Sequence, residues 1–390
     1  MAKWLEKTLG EVTAFIAKGI PPKYTEKENE NTIRVLNQKC NRNFEISYSE
    51  SRIHDCEKKK VPVDKMLRAG DVLINSTGTG TAGRVAQMVE VTVPTTIDGH
   101  MILIRPSEEL DPIYYGYAVK SFQSQIEGLA EGSTGQTEIN RRRLQDEVII
   151  RYPSDKLVQK NIGGFLANID EKIKTNKEIN KNLEQQAQAI YQQMFIDNAS
   201  SDWAEGTLSN IADITMGQSP SGSSYNEDGN GTIFFQGRAE FGFRFPTVRL
   251  YTTEPKRMAC ANDTLMSVRA PVGDLNVAHT DCCIGRGLAA IHSKNNHQSF
   301  VLYTMFSLKK QLDVFNGEGT VFGSINRSSL NEMPILIPSS EKLDEFEALV
   351  APMDVTIRSN YDEICRLDQL RDTLLPKLMS GELDVSDIDL

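Results

Sequence analysis

The residues of this chain with chemistry to offer are arginines, amides and hydroxyls set in glycine-rich loops, rather than nucleophiles or metal ligands. Gly78-Thr79-Gly80-Thr81-Ala82-Gly83 has the form G-x-G-x-x-G, whose chemistry is to hold a pyrophosphate where a helix opens. The next ten residues, Arg84 to Val93, are rich in β-branched side chains, and no acidic residue stands about 20 positions on in a βαβ setting. The loop therefore reads as a tight hairpin turn. No Walker A lysine loop, H-E-x-x-H or G-x-S-x-G occurs. The histidines (His54, His100, His279, His292, His297) hold no repeated positions, and the six cysteines show no C-x-x-C spacing, so zinc is not expected and the thiols read as reduced.

What remains is binding chemistry, and it suits DNA. Arginine pairs bidentately with guanine, asparagine or glutamine with adenine, and hydroxyls with phosphate. Candidates in the first half are Lys23, Tyr24, Thr77, Thr79, Arg84, Gln136, Asn140, Arg141 and Arg142. In the second half they are Ser219, Tyr225, Arg238, Arg244, Arg269, Arg286, Phe322, Asn326 and Arg327.

These positions fall into a repeat. Trp4-Leu-Glu-Lys-Thr-Leu9 answers Trp203-Ala-Glu-Gly-Thr-Leu208, using the only two tryptophans. After each comes a short strand (Val12 to Ile16; Ile211 to Met216) and a long polar loop carrying a tyrosine, Tyr24 or Tyr225. Strands at Gly70 to Ile74 and Asn262 to Met266 then feed the loops Ser76 to Gly83 and Ser267 to Gly273. Amphipathic helices are expected at Tyr114 to Ile126 and Ser299 to Phe315. Each is followed by a polar loop (131–136; 318–323), an Ile-Asn-Arg segment (139–141; 325–327) and a closing strand ending at Pro153 or Pro338.

Two long helices separate the repeats. Ile162, Leu166, Ile169, Ile173, Asn176, Asn180, Leu183, Ala187, Ile190 and Met194 step 4, 3 without a break, which is a coiled-coil seam. The same stepping returns 184 positions on at Phe346, Val350, Met353, Ile357, Asn360, Ile364, Leu367, Arg371, Leu374 and Leu378, so each seam has its partner in the chain. Asn176 coincides with Asn360 and Asp170 with Asp354; asparagines at equivalent levels fix register. The expected fold is α+β: similar α/β domains at 1–153 and 200–338, and long helices at 154–199 and 339–380 forming a pseudo-two-fold antiparallel coiled coil. An acidic tail at 381–390 completes the chain.

At 390 residues the chain exceeds one core, and its charged fraction of 25% and apolar fraction of 39% are ordinary for a globular protein. No apolar run approaches the ~18 residues of a membrane span, and Met1 to Gly10 is too polar for a signal peptide, so no membrane partner and a cytoplasmic location are expected. The net charge of -10 is uneven. Basic and acidic residues number 21 and 21 over 1–153, 6 and 6 over 154–199, 11 and 13 over 200–338, and 5 and 13 over 339–390. The acid sits in the last segment, so each domain is free to carry a basic face.

The arrangement resembles the specificity subunit of type I restriction-modification systems over about residues 4–382. The resemblance rests on the Trp-x-x-x-x-Leu start of each half, the Gly-Ser/Thr loops before each long helix, and the tail Leu374-Leu-Pro-Lys-Leu-Met-Ser-Gly-Glu382. It implies a non-catalytic, sequence-specific DNA-binding subunit with two target-recognition domains reading a bipartite asymmetric site. Its implied partners are double-stranded DNA, two adenine-N6 methyltransferase subunits and ATP-dependent restriction subunits. This chain would then bind no cofactor, S-adenosylmethionine, ATP and magnesium belonging to the partners. Two alternatives compete: a coiled-coil adaptor without DNA specificity, and a nucleotide-binding enzyme using the 78–83 loop.

Overall fold

A computed structural model describes residues 3–132, 137–317 and 323–383. The chain divides into two compact units, Met1–Thr175 with Glu363–Leu390, and Asn176–Asp362. The first long helix runs Lys156–Tyr191 and widens into a π-helix over Gln192–Asp197; the second runs Ser340–Ser380. Each unit thus holds a mixed α/β domain and a stretch of both helices.

In the first unit, Trp4–Thr8 pairs antiparallel with Ile149–Pro153, joining the ends of the domain just before the long helix starts. Behind it lies a four-stranded antiparallel sheet in the order Thr13–Lys18, Met101–Pro106, Val72–Asn75, Val85–Gln87. Val72–Asn75 is buried along its whole length because both sheet faces are covered, hence its continuous apolar run. A second, mixed sheet contains Thr95–Ile97, Thr32–Leu36, Arg52–Asp55 and Tyr24–Thr25.

The second unit repeats this plan. Ala204–Thr207 pairs with Pro334–Ile337, and Ala212–Met216, Leu288–Ser293, Thr264–Ser267 and Leu275–Val277 form the same antiparallel order. Its mixed sheet has five strands, with Thr232–Phe235 parallel to Cys282–Ile284. A β-carbon on Gly19 would lie 2.0 Å from the Asp98 carbonyl, and one on Gly217 2.1 Å from that of Gly285. Only glycine permits this backbone approach, which explains the shared Gly after the first sheet strand.

Within each unit the long helices run antiparallel. In the first, Asp170 meets Arg371 at 2.7 Å and Lys172 meets Glu363 at 3.5 Å, one helix rising as the other falls. Ile162, Leu166, Ile169 and Ile173 are buried, and Leu375 and Leu378 join the core of Ile162 and Leu166, with Leu374 half-buried beside them. In the second, Leu183, Ala187 and Ile190 share a core with Val350, Met353 and Ile357. Asn176 is buried; Asn360, Ile364 and Leu367 are half-buried. Each fully buried Leu or Ile contributes roughly 1.5–3 kcal/mol, so the seam is the main stabiliser of helices whose other face is solvated.

Two expectations need correction. The strand expected through Val93 ends at Gln87: the last bonds to its neighbour are made by Met88, opposite the turn at Gly70 and Asp71, and Val89 turns out to solvent. The expected amphipathic helices are each broken, into Pro112–Ser121 and Gln123–Glu127, and into Gln298–Ser307 and Lys309–Leu312. Their first segments are buried nearly all round rather than on one face. In the second unit the Asn360 amide donates to Asn180 Oδ1 at 2.8 Å.

Candidate nucleic-acid interface

The loops singled out by their polar residues meet at one end of each sheet. In the second unit, Val268 N donates to Gly287 O at 2.9 Å, Ala270 N to Gly323 O at 3.0 Å and Ile325 N to Val268 O at 3.1 Å. Ser219 Oγ accepts from Arg286 N at 3.3 Å. These bonds gather Ser219, Arg269, Arg286, Asn326 and Arg327 on one edge. Among the described residues, the exposed guanidinium groups of Arg269, Arg286 and Arg327 form no ion pair, so their charge is open to a ligand.

The first unit is wired alike: Ser76 N donates to His100 O at 2.8 Å and Ile139 N to Ser76 O at 2.8 Å. Thr77, Thr79, Asn140 and Arg141 therefore share an edge. Strand register makes Thr77 the counterpart of Arg269, each bridged to the segment before the Asn-Arg pair (Thr77 with Glu138, Arg269 with Ser324). Ile20 bridges to Asp98, bringing the Lys23–Tyr24 segment to the same turn. Burial pushes the Asp98 carboxyl above its ordinary range, opposed by the His100 amide that it accepts at 2.9 Å. His100 was not a sequence candidate, yet its Nδ1 lies 2.8 Å from the Thr77 hydroxyl. The signal for it was the alignment of Met101 with Leu288, visible only once the strands are paired.

Asn140 and Asn326 have a structural task as well. Asn140 Oδ1 accepts from Arg142 N and Arg143 N, and Asn326 Oδ1 from Ser329 N at 2.9 Å, capping the helices Arg141–Glu147 and Arg327–Asn331. The cap fixes where the adjacent arginine projects. Arg141 and Arg142 are exposed, Arg142 only 3.9 Å from Asp146.

The glycine loop is a turn between antiparallel strands, with Gly78, Gly80 and Gly83 all at positive φ and no helix opening after it. A β-carbon on Gly83 would lie 2.6 Å from Glu127 Cα. Arg84 is tied to its own loop, donating to Gly80 O at 2.9 Å.

Other candidates are engaged elsewhere. Tyr24 is half-buried under the Arg52 guanidinium, 3.5 Å from its ring centroid, and Tyr225 stacks at 4.8 Å on Phe234 while donating to Pro220 O. Arg238 is ion-paired to Asp274, itself 3.4 Å from Lys309. Arg244 is a correction: it is 4% exposed, pairs with Glu184 and Asp354 at 3.1 Å each, and donates to the Tyr303 hydroxyl. It holds the second domain to the long helices and cannot reach DNA. Burial pushes Glu184 up, and the Arg244 charge opposes it. Gln136 and Phe322, and tail residues 384–390, lie outside the described residues.

Two like domains, each stapled by its own ends and docked on antiparallel helices, present an open basic and amide edge of the kind that suits nucleic acid. The model of the type I restriction modification DNA specificity domain matches residues 1–185 and again 200–349, and the chain belongs to that family. It is 31% identical over 307 residues to the type I restriction enzyme MjaX specificity subunit of Methanocaldococcus jannaschii, covering 73% of this chain and 72% of that one. It is 26% identical over 310 residues to the MjaIX specificity subunit of the same organism, covering 71% and 69%. The fold is similar to that of the type I restriction-modification S subunit from M. genitalium, with 18% identity, coverage of 97% and 96%, and a TM-score of 0.64. No helix among the described residues is long and apolar enough to cross a membrane.

Proposed function

We propose that this specificity subunit reads a bipartite asymmetric DNA target, one half-site per domain, and does no chemistry itself. The observation that carries the reading is the repeated edge, at which a glycine hairpin loop and an Asn-Arg helix start are clasped together in both units. Thr77, Thr79, Asn140, Arg141 and Arg142 would serve one half-site, and Ser219, Arg269, Arg286, Asn326 and Arg327 the other. Domains at 1–153 and 200–338 act as the two readers. Two of them on one chain bind cooperatively, since the second encounter is intramolecular.

Two adenine-N6 methyltransferase subunits would be positioned by this chain, with the target adenine flipped into their active sites, and ATP-dependent restriction subunits would complete the assembly. On this reading S-adenosylmethionine, ATP and magnesium are the partners' cofactors, and the complex works in the cytoplasm. The test is methylation-site sequencing of DNA exposed to the assembled methyltransferase. A split, asymmetric consensus with an unread spacer is expected; a continuous or absent consensus would overturn the reading.

A further inference from the structure

The helices Pro112–Ser121 and Gln298–Ser307 each dock on a long helix within their own unit, and a tyrosine ties each of them there. Gln298–Ser307 is held further by the Phe300 amide, which donates to Glu347 Oε1 at 3.0 Å, and by Thr304 Oγ1, which accepts from the Tyr191 hydroxyl at 3.1 Å. Tyr117 donates its hydroxyl to Asp170 Oδ2 at 2.6 Å, and Tyr303 donates to Asp354 Oδ1 at 2.9 Å. Both rings are buried, and burial beside a carboxylate raises both phenols far above their ordinary range, so each stays a donor. The two carboxylates stand 184 residues apart, the period of the coiled-coil repeat.

The cation at this point does not repeat. Asp170 receives Arg371 from the second long helix at 2.7 Å, whereas Asp354 receives Arg244 from inside the domain at 3.1 Å. What the two units share is the tyrosine–carboxylate bond itself. Apolar packing is non-directional and tolerates small slides of one helix over another, while a charge-assisted hydrogen bond is short and directional. Such a bond on a docking helix favours one rotation and one level along the helix beneath.

We propose that Tyr117 and Tyr303 are positioning residues for target selection. Acting through Asp170 and Asp354, each fixes the pose in which its domain meets DNA, and with it the number of unread base pairs tolerated between half-sites. This deepens, and rests on, the bipartite reading above.

The experiment is methylation-site sequencing with assembled complexes carrying the parent chain, Tyr117→Phe or Tyr303→Phe, which keep the ring and remove only the hydroxyl. Half-site sequences should stay unchanged, while methylation at spacers one base pair longer or shorter rises roughly tenfold, as loss of one charge-assisted bond allows. Lower overall methylation with the parent spacer strictly retained would mean that the tyrosines only hold the fold, and would overturn the proposal. Should a phenylalanine variant fail to assemble, Asp170→Asn and Asp354→Asn, which keep an acceptor but lose its charge, are read the same way, and a strict spacer in both overturns it. A parent complex with no split consensus defeats the bipartite reading first, and this proposal with it.

Discussion

Asn360 donates its side-chain amide to Asn180 Oδ1 at 2.8 Å, and Asn180 passes its own amide to the Ile357 carbonyl at 3.2 Å. Two polar side chains in an apolar seam are tolerable because they satisfy each other, and only one helix alignment lets them do so. Asn180→Leu removes the acceptor of the half-buried Asn360 amide, at a cost of about 1 kcal/mol. Thermal denaturation should therefore show a lower Tm for Asn180→Leu than for the double replacement of Asn180 and Asn360 by leucine. Equal Tm values for the single and double variants would show that the pair is not coupled.

The arginines separate into two kinds with opposite expected phenotypes. Arg269, Arg286 and Arg327 are exposed and unpaired among the described residues, so alanine at each should leave Tm unchanged and reduce the log-log salt slope of DNA binding by about one unit. Arg244→Ala instead leaves Glu184 and Asp354 without their buried cation, a loss on the order of 3–5 kcal/mol. Unfolding curves and salt titrations on the same four variants check the division.

Lys120 gives the first unit a distinctive pH dependence. Burial pulls its ammonium down from 10.5 to about 8, only partly countered by Asp170, and its Nζ sits 4.2 Å from the Phe44 ring centroid. The unfolded chain holds this proton up to 10.5 and the folded chain releases it near 8, so folding carries a penalty below pH 8 that fades as pH rises toward 10.5. The penalty is at most about 3 kcal/mol. Lys120→Met should accordingly raise Tm at pH 7 and lose that advantage by pH 10. A gain independent of pH would assign the effect to packing alone.

The long helices were legible because a 4, 3 stepping maintained over ten positions is a strong, local signal, and the Asp170–Asp354 coincidence foreshadowed the tyrosine bonds. The sheet strands were legible where both faces are buried, as at Val72–Asn75. The mixed sheets were not, since strands such as Tyr24–Thr25 and Met258–Ala259 are two residues long and parallel partners such as Thr32–Leu36 and Thr95–Ile97 lie far apart in sequence. Arg244 was misread for a related reason: it sits in a loop without regular structure, between Phe243 and Phe245, and its carboxylate partners are 60 residues before it and 110 after. Pairings of that span leave no local trace.

Ala204–Thr207 and Pro334–Ile337 pair residue by residue, so the second domain enters and leaves through one two-stranded staple. A domain whose ends meet can be exchanged without altering the path of the chain on either side. The contacts to preserve in such an exchange include, outside the staple, Tyr303 with Asp354, Arg244 with Glu184, His279 with Asp362 and the Phe300 amide with Glu347. Replacing residues 200–338 with the corresponding segment of a related specificity subunit that supplies a tyrosine, an arginine and a histidine at those places should change one half-site of the methylated consensus and leave the other intact. Methylation-site sequencing of the chimera reads both halves at once. Changes in both halves would show that the domains share one reading surface, and a change in neither would place specificity outside residues 200–338.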